Sequence, residues 1–145
     1  MLNDIIYLTI KKFMDIWRRP LDGRKKLQKL LFILEYMDLN RRVVRRRKGI
    51  VPAKFIIWHY GPFSSDIVDT LDNMVEEGYV AEECIPFEEY DRLRQYLKLY
   101  PFYYLTLSDY EDEGAPYRIF IYSVKRERRV PVSYTHLTLP TKERV

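Results

Sequence analysis

Apolar positions recur at helical spacing in three parts of the chain and crowd into shorter strand-like runs in several others. From Leu2 to Arg19, Ile6, Ile10, Phe13 and Trp17 follow at intervals of four, three and four, which predicts a helix that Pro20 ends. The turn residues Leu21-Asp22-Gly23 come next. A second helix is predicted over Arg24–Met37, with Leu27, Leu30, Leu31, Leu34 and Met37 on one apolar face. The stretch Arg41–Gly49 has no apolar period and is expected to be a loop. Phe55–Tyr60 (FIIWHY) is β-branched and aromatic and reads as a buried strand, which Gly61-Pro62 breaks and turns toward the next helix. Ile67, Val68, Leu71, Met74 and Val75 then mark a third helix, capped by Ser64 or Ser65 and ended by Gly78. A strand begins at Gly78-Tyr79-Val80. A further helix over Phe87–Leu99 and a closing hairpin of Tyr103–Leu107 with Tyr117–Val124 complete the pattern. The expected class is α+β and winged-helix-like, with three to four helices, a small antiparallel sheet and a C-terminal hairpin.

Composition agrees with a single folded domain. The chain has 145 residues, 47% hydrophobic and 32% charged, which excludes the disordered and membrane-spanning classes. No apolar run approaches the ~18 residues of a membrane-crossing helix, so no membrane partner is expected. Asp4 precedes any basic residue, and Lys11 and Lys12 interrupt the first apolar stretch, so the start does not read as a signal peptide. Cys84 stands alone, which excludes an internal disulfide and a thiolate metal cage and suits a reducing cytoplasm. Residues 1–130 are read as one domain and residues 131–145 as a non-native tail. The string VSYTHLTLPT (Val132–Thr141) resembles the translation of a transposon-end sequencing adapter over all ten residues. On that reading His136 is not a native residue, and removing Lys142, Glu143 and Arg144 lowers the formal charge from +4 to +3.

Two stretches carry a family resemblance. GRKKLQKLLFILEY (Gly23–Tyr36) followed by WHYGPFSSDIVDTLDNMVEEGYV (Trp58–Val80) resembles a family of small prokaryotic winged-helix-like proteins that includes the YwgA-type proteins. It is more distantly similar to the Panacea (SocA-like) antitoxin domain. The shared features are the LQKLL helix, a strand ending in Tyr-Gly-Pro, and a helix running into glycine and two hydrophobic residues. The resemblance implies a regulatory or antitoxin-like module that works by macromolecular binding, and it transfers no catalytic residue. Tyr60, Gly61 and Pro62 are matched positions. Gly61 and Pro62 read as a structural corner, and Tyr60 as either a core residue or one offering its hydroxyl to a partner.

Charge decides between modes of binding. In a winged-helix DNA binder the third helix would enter the major groove, yet here it carries Asp66, Asp69, Asp72, Glu76 and Glu77 and no basic residue between Ser64 and Gly78. A duplex with one negative charge per ~1.7 Å repels that face. Asp109, Glu111, Asp112 and Glu113 would place more acid at the wing tip. A strand also precedes the third helix where a helix-turn-helix needs a second helix and a short turn. Asp66, Asp69, Asp72 and Tyr60 are therefore the candidates for contacting a protein partner, such as a toxin. Positive charge collects elsewhere, in Arg41, Arg42, Arg45, Arg46, Arg47 and Lys48, with Lys25, Lys26 and Lys29 upstream and Lys125, Arg126, Arg128 and Arg129 near the end. These are either a solvated surface or phosphate contacts to double-stranded DNA, with Arg41–Lys48, Lys25 and Lys29 as the candidates. The alternative function is thus a DNA-binding transcriptional regulator. The separation of sign also suits self-association into a homodimer.

Catalysis has little to work with. His59 lies in an apolar run, Cys84 sits between acidic neighbours and Ile85, the five glycines are isolated, and no metal-ligand spacing is visible. No cofactor is expected, and the chain is read as non-enzymatic and cytoplasmic.

Overall fold

The computed structural model describes residues 1–38, 43–44, 48–58, 61–86 and 118–131. The chain is α+β, with three helices among these residues and three small antiparallel sheets. Helix α1 (Leu2–Trp17) buries Ile6, Ile10, Phe13 and Trp17 as the spacing predicts, and also Ile5, Tyr7, Leu8 and Thr9. Burial thus runs unbroken over six positions from Ile5 to Ile10, so the middle of the helix is covered on nearly all sides. The Thr9 hydroxyl lies within this covered stretch because it donates 2.8 Å to the Ile5 carbonyl, inside the helix itself. Arg18 ends the helix in the left-handed region at φ 57°, two residues before Pro20.

Leu21 and Asp22, read from sequence as a turn, form strand β1 (Leu21–Asp22) against Tyr122 and Ile121. Two residues are too few to show a strand period, so only a partner far along the chain reveals them. The corner between α1 and the next helix is charged yet buried: Arg19 pairs with Asp22, which also accepts 2.8 Å from the Lys26 ammonium, and the Arg19 guanidinium lies over the rings of Phe13 and Trp17.

Helix α2 (Arg24–Tyr36) buries Leu27, Leu30, Leu31 and Leu34, with the polar Gln28 and Glu35 among them. Met37, expected on its apolar face, belongs instead to β2 (Met37–Asp38), which pairs with β3 (Val43–Val44). The Arg41–Gly49 stretch is therefore not wholly loop. Of the predicted FIIWHY strand, Phe55 precedes the strand and is half-buried, the burial expected of Ile56 and Ile57 is not found, and His59 and Tyr60 lie outside the described residues. Strand β4 (Ile56–Trp58) pairs with β5 (Gly61–Phe63), leaving Ile56 52% and Ile57 76% exposed. Gly61-Pro62 does not break the strand into the next helix. These residues open the return strand, with Gly61 at φ 119° where a side chain would be strained.

Helix α3 (Ser65–Glu76) buries Ile67, Leu71 and Met74. Its end matches the sequence reading: Gly78, at φ 84°, donates to the Val75 carbonyl at 3.1 Å and Tyr79 to that of Met74 at 3.0 Å, a glycine-terminated helix stop. Ser64 is the N-cap residue, but its side chain makes no capping bond. Strands β6 (Val80–Pro86) and β7 (Arg118–Val124) pair antiparallel over their full lengths, from Val80↔Val124 to Pro86↔Arg118. Strand β7 is central, in the order β1-β7-β6. It was expected to pair with Tyr103–Leu107; that stretch, the predicted Phe87–Leu99 helix and the tail from 132 onward lie outside the described residues. Ile5, Ile6, Tyr7, Ile10, Leu27, Leu31, Ile67, Leu71, Met74, Val80 and Tyr122 fill the core between the helices and the sheet.

Candidate interaction surface

The apolar period of α3 turns Ile67, Leu71 and Met74 inward, so the same period turns its carboxylates out. Asp66, Asp69, Asp72, Asn73, Glu76 and Glu77 are all exposed. The structure thus brings Asp66, Asp69 and Asp72 together on one face, but they are not equivalent. Asp66 accepts 3.0 Å from the Lys54 backbone N–H and so fastens the base of the β4–β5 hairpin to the start of α3. Asp72 lies 3.5 Å from the Arg24 guanidinium. Asp69, Glu76 and Glu77 make no ion pair among the described residues. Tyr60 lies outside the described residues.

Asp72 is the rim of a polar cluster that joins α2, α3 and the sheet. Arg24 Nε donates to the Tyr122 hydroxyl at 2.6 Å, that hydroxyl donates to Glu82 at 2.8 Å, and Arg24 also reaches Glu82 at 3.2 Å. The guanidinium lies 4.6 Å from the centre of the Phe120 ring. Burial works against the Arg24 charge, but the hydrogen bonds to Tyr122 and Glu82 and the Asp72 charge more than offset it and raise its pKa. Burial, with the bond to Glu82, pushes the Tyr122 phenol well above its ordinary value against the pull of Arg24. The phenol therefore stays protonated and remains a donor to Glu82.

The candidate cations are less gathered. Lys29 is exposed and Lys25 half-buried on α2, four residues apart and so on one side of the helix. Lys48 is exposed, while its backbone N–H donates to the Glu35 carbonyl at 3.0 Å. Arg41, Arg42, Arg45, Arg46 and Arg47 lie outside the described residues. At the basic end, Arg128 is committed to the fold: its Nε donates to Asp4 at 2.9 Å and its backbone N–H to the Tyr7 hydroxyl at 3.1 Å.

Two residues missed in the sequence hold the surface in place. Glu35 is fully buried, and its carboxylate accepts from the backbone N–H groups of Gly49, Ile50 and Val51 at 2.9, 2.7 and 2.9 Å. Gln28 clamps Ser64, taking the Ser64 N–H at 2.9 Å and giving its amide N–H to the Ser64 carbonyl at 2.9 Å. Both were visible as polar residues seven apart on a leucine face, a position that requires buried partners. The Gln28 clamp also ties the LQKLL stretch to the start of α3. Arg24, Tyr122 and Glu82 gave no such signal, because they meet across 40 to 98 residues of chain.

Among the described residues no group of His, Cys, Asp and Glu side chains is placed to hold a metal ion, and no helix is long and apolar enough to cross a membrane. No family model matches the chain, and neither the curated proteins nor the solved structures contain a match to it.

Proposed function

We propose that this chain is a non-enzymatic regulatory module of winged-helix type, antitoxin-like, that acts in the cytoplasm by binding a protein partner; the family resemblance implies a toxin as that partner. The topology supports the winged-helix reading. Helix, short strand, two further helices and two long antiparallel strands follow in chain order, and the last strand lies between the first and the sixth. The distinguishing addition is the segment between α2 and α3, which holds both small hairpins.

The observation that carries the partner reading is the solvent face of α3. In the winged-helix arrangement this is the helix that would enter a major groove, and it offers exposed acids with no cation. Phosphates repel such a face, whereas a basic protein surface is attracted and steered toward it. Co-expression with the product of an adjacent small reading frame that arrests growth tests the idea. The wild-type chain is expected to restore growth, and the double variant Asp69→Lys/Glu76→Lys to lose that effect with its melting temperature unchanged. Full protection by the double variant overturns the acidic-face reading.

A DNA-binding regulator is the second reading. It is favoured by the position of β3 within the Arg41–Lys48 run, directly after the helix that bears Lys25 and Lys29. Fluorescence anisotropy against upstream and scrambled duplexes across a salt series separates the two. Sequence-blind binding that falls steeply with salt reports only phosphate contacts. Preference for the native duplex that persists near physiological salt, and is abolished by Arg45→Glu/Arg46→Glu/Arg47→Glu, favours the regulator.

A further inference from the structure

The β4–β5 hairpin leaves apolar side chains and hydrogen-bonding backbone uncovered side by side. Ile56 and Ile57 are both exposed, and successive strand residues point to opposite faces, so neither face is covered there. Strand β5 lies against α2, which leaves β4 on the outside. Pro62 stands opposite Ile57 and has no N–H to give it, so the Ile57 N–H and C=O turn away from β5 to the outer edge. Nothing among the described residues pairs with them. Ile56, Ile57 and Trp58 carry no charge, so the edge lacks the lysine or acid that discourages strand addition.

One end of that edge meets the acidic helix. Asp66, in the first turn of α3, accepts from the Lys54 backbone N–H just before β4 begins, so α3 starts at the base of the hairpin. Asp69 follows one turn on, and Glu76 lies seven residues further along the same stripe of the helix. Both are exposed and make no ion pair among the described residues. The exposed Lys54 side chain sets one positive charge at this end against those carboxylates. Along one path the surface thus changes from an apolar strand edge to an acidic helix face.

The chemistry of that path identifies the occupant. An extended chain can pair with the Ile57 backbone, whereas a helix keeps its own N–H and C=O groups to itself. Cations complement the α3 stripe. A second copy does not fit, because an antiparallel pairing at Ile57 sets the base of one hairpin beside the tip of the other, away from α3. On the basis of the partner-binding reading, which this deepens, we infer that the partner docks by adding an extended segment as a strand to the outer edge of β4. Its β-branched or aromatic residues lie over Ile56 and Ile57, and its Lys or Arg residues, at the end beside the hairpin base, meet Asp69 and Glu76. Because β4 has only three residues, the strand pairing is short and the basic end is needed, which makes the complex salt-sensitive.

Selection of a random peptide library against the immobilised full chain tests it. The enriched sequences are expected to alternate β-branched or aromatic with polar residues and to end in Lys or Arg. A synthetic peptide of the enriched sequence is then followed by fluorescence anisotropy. Ile57→Lys, at an exposed position, is expected to weaken binding about tenfold with an unchanged circular dichroism spectrum. Asp69→Lys/Glu76→Lys should weaken it about fivefold and flatten its salt dependence. N-methylation of alternate peptide amides, those paired with β4, should abolish binding, and methylation of the others should spare it. Peptides that respond to the α3 substitutions but not to Ile57→Lys overturn the strand docking and leave the acidic-face reading standing. Peptides that respond to Ile57→Lys but not to the α3 substitutions overturn the inference together with that reading. A selection that enriches nothing overturns the docking, as does self-association of the 17.7 kDa chain that Ile57→Lys abolishes.

Discussion

The helix–sheet frame and the segment between α2 and α3 are held by different forces. In the frame, α1, α2, α3 and the β1-β7-β6 sheet meet over a continuous apolar core. Among the described residues from 48 to 63, Val51 and Ala53 are buried in that core, with Ile50 and Phe55 packed against it. Two polar side chains of α2 also fix the segment, Glu35 at residues 49–51 and Gln28 at Ser64, just past its end. Apolar burial is spread over many contacts, whereas the clamps are a handful of directed hydrogen bonds. Damage to the frame should therefore unfold the whole protein, and damage to a clamp should release one segment from an otherwise folded chain.

Leu31→Ala gives the largest expected effect. Leu31 is fully buried at the centre of the α2 face, and truncation there should cost about 2–5 kcal/mol, enough to consume much of the stability of a domain this size. Denaturant unfolding should show one cooperative transition at a lower midpoint. Glu35→Gln comes next, at about 1–3 kcal/mol, because the amide cannot accept all three backbone N–H groups and brings donors of its own against them. Its signature is local: amide exchange should accelerate at Gly49, Ile50 and Val51 while Ile10 and Leu31 remain protected. If those amides keep their protection, Glu35 is not the clamp and the two regions are one cooperative unit.

Tyr122→Phe breaks the frame's own polar cluster and should cost about 1 kcal/mol. Its pH dependence is more telling. The folded phenol titrates above its ordinary value of about 10, so the unfolded chain loses that proton first. The stabilisation from Tyr122 is complete below the unfolded value and declines as pH rises through it toward the folded one. The wild-type protein should therefore lose stability more steeply in alkali than Tyr122→Phe. Parallel pH profiles for the two proteins would remove Tyr122 from the cluster.

The sequence was most legible where a period ran long enough to be counted. Three helices, the glycine stop at Gly78 and the acidic exposure of α3 all follow from apolar residues three and four apart. It was least legible where an element is short or its partner distant. Leu21-Asp22 is a strand only because Tyr122 and Ile121 are beside it, and the Arg24 cluster is assembled from four elements. The FIIWHY run misled for another reason: β-branched and aromatic residues signal extended backbone, but not whether anything covers it. Read as core, Ile56 and Ile57 concealed the most exposed apolar surface on the hairpin. Of the candidate site, the α3 carboxylates could be assigned to one face from spacing alone, whereas the commitment of Asp66 to Lys54 and of Asp72 to Arg24 could not.

That error supplies the smallest and sharpest test of the contrast. Ile57 and Leu31 are both branched aliphatic residues in regular structure, and a sequence pattern treats them alike. One is three-quarters exposed and the other fully buried. Ile57→Ser should change the stability read from denaturant unfolding by no more than about 0.5 kcal/mol, the range of surface substitutions. A loss of the size expected for Leu31→Ala would mean that Ile57 is packed within its own chain, and the hairpin would then belong to the frame.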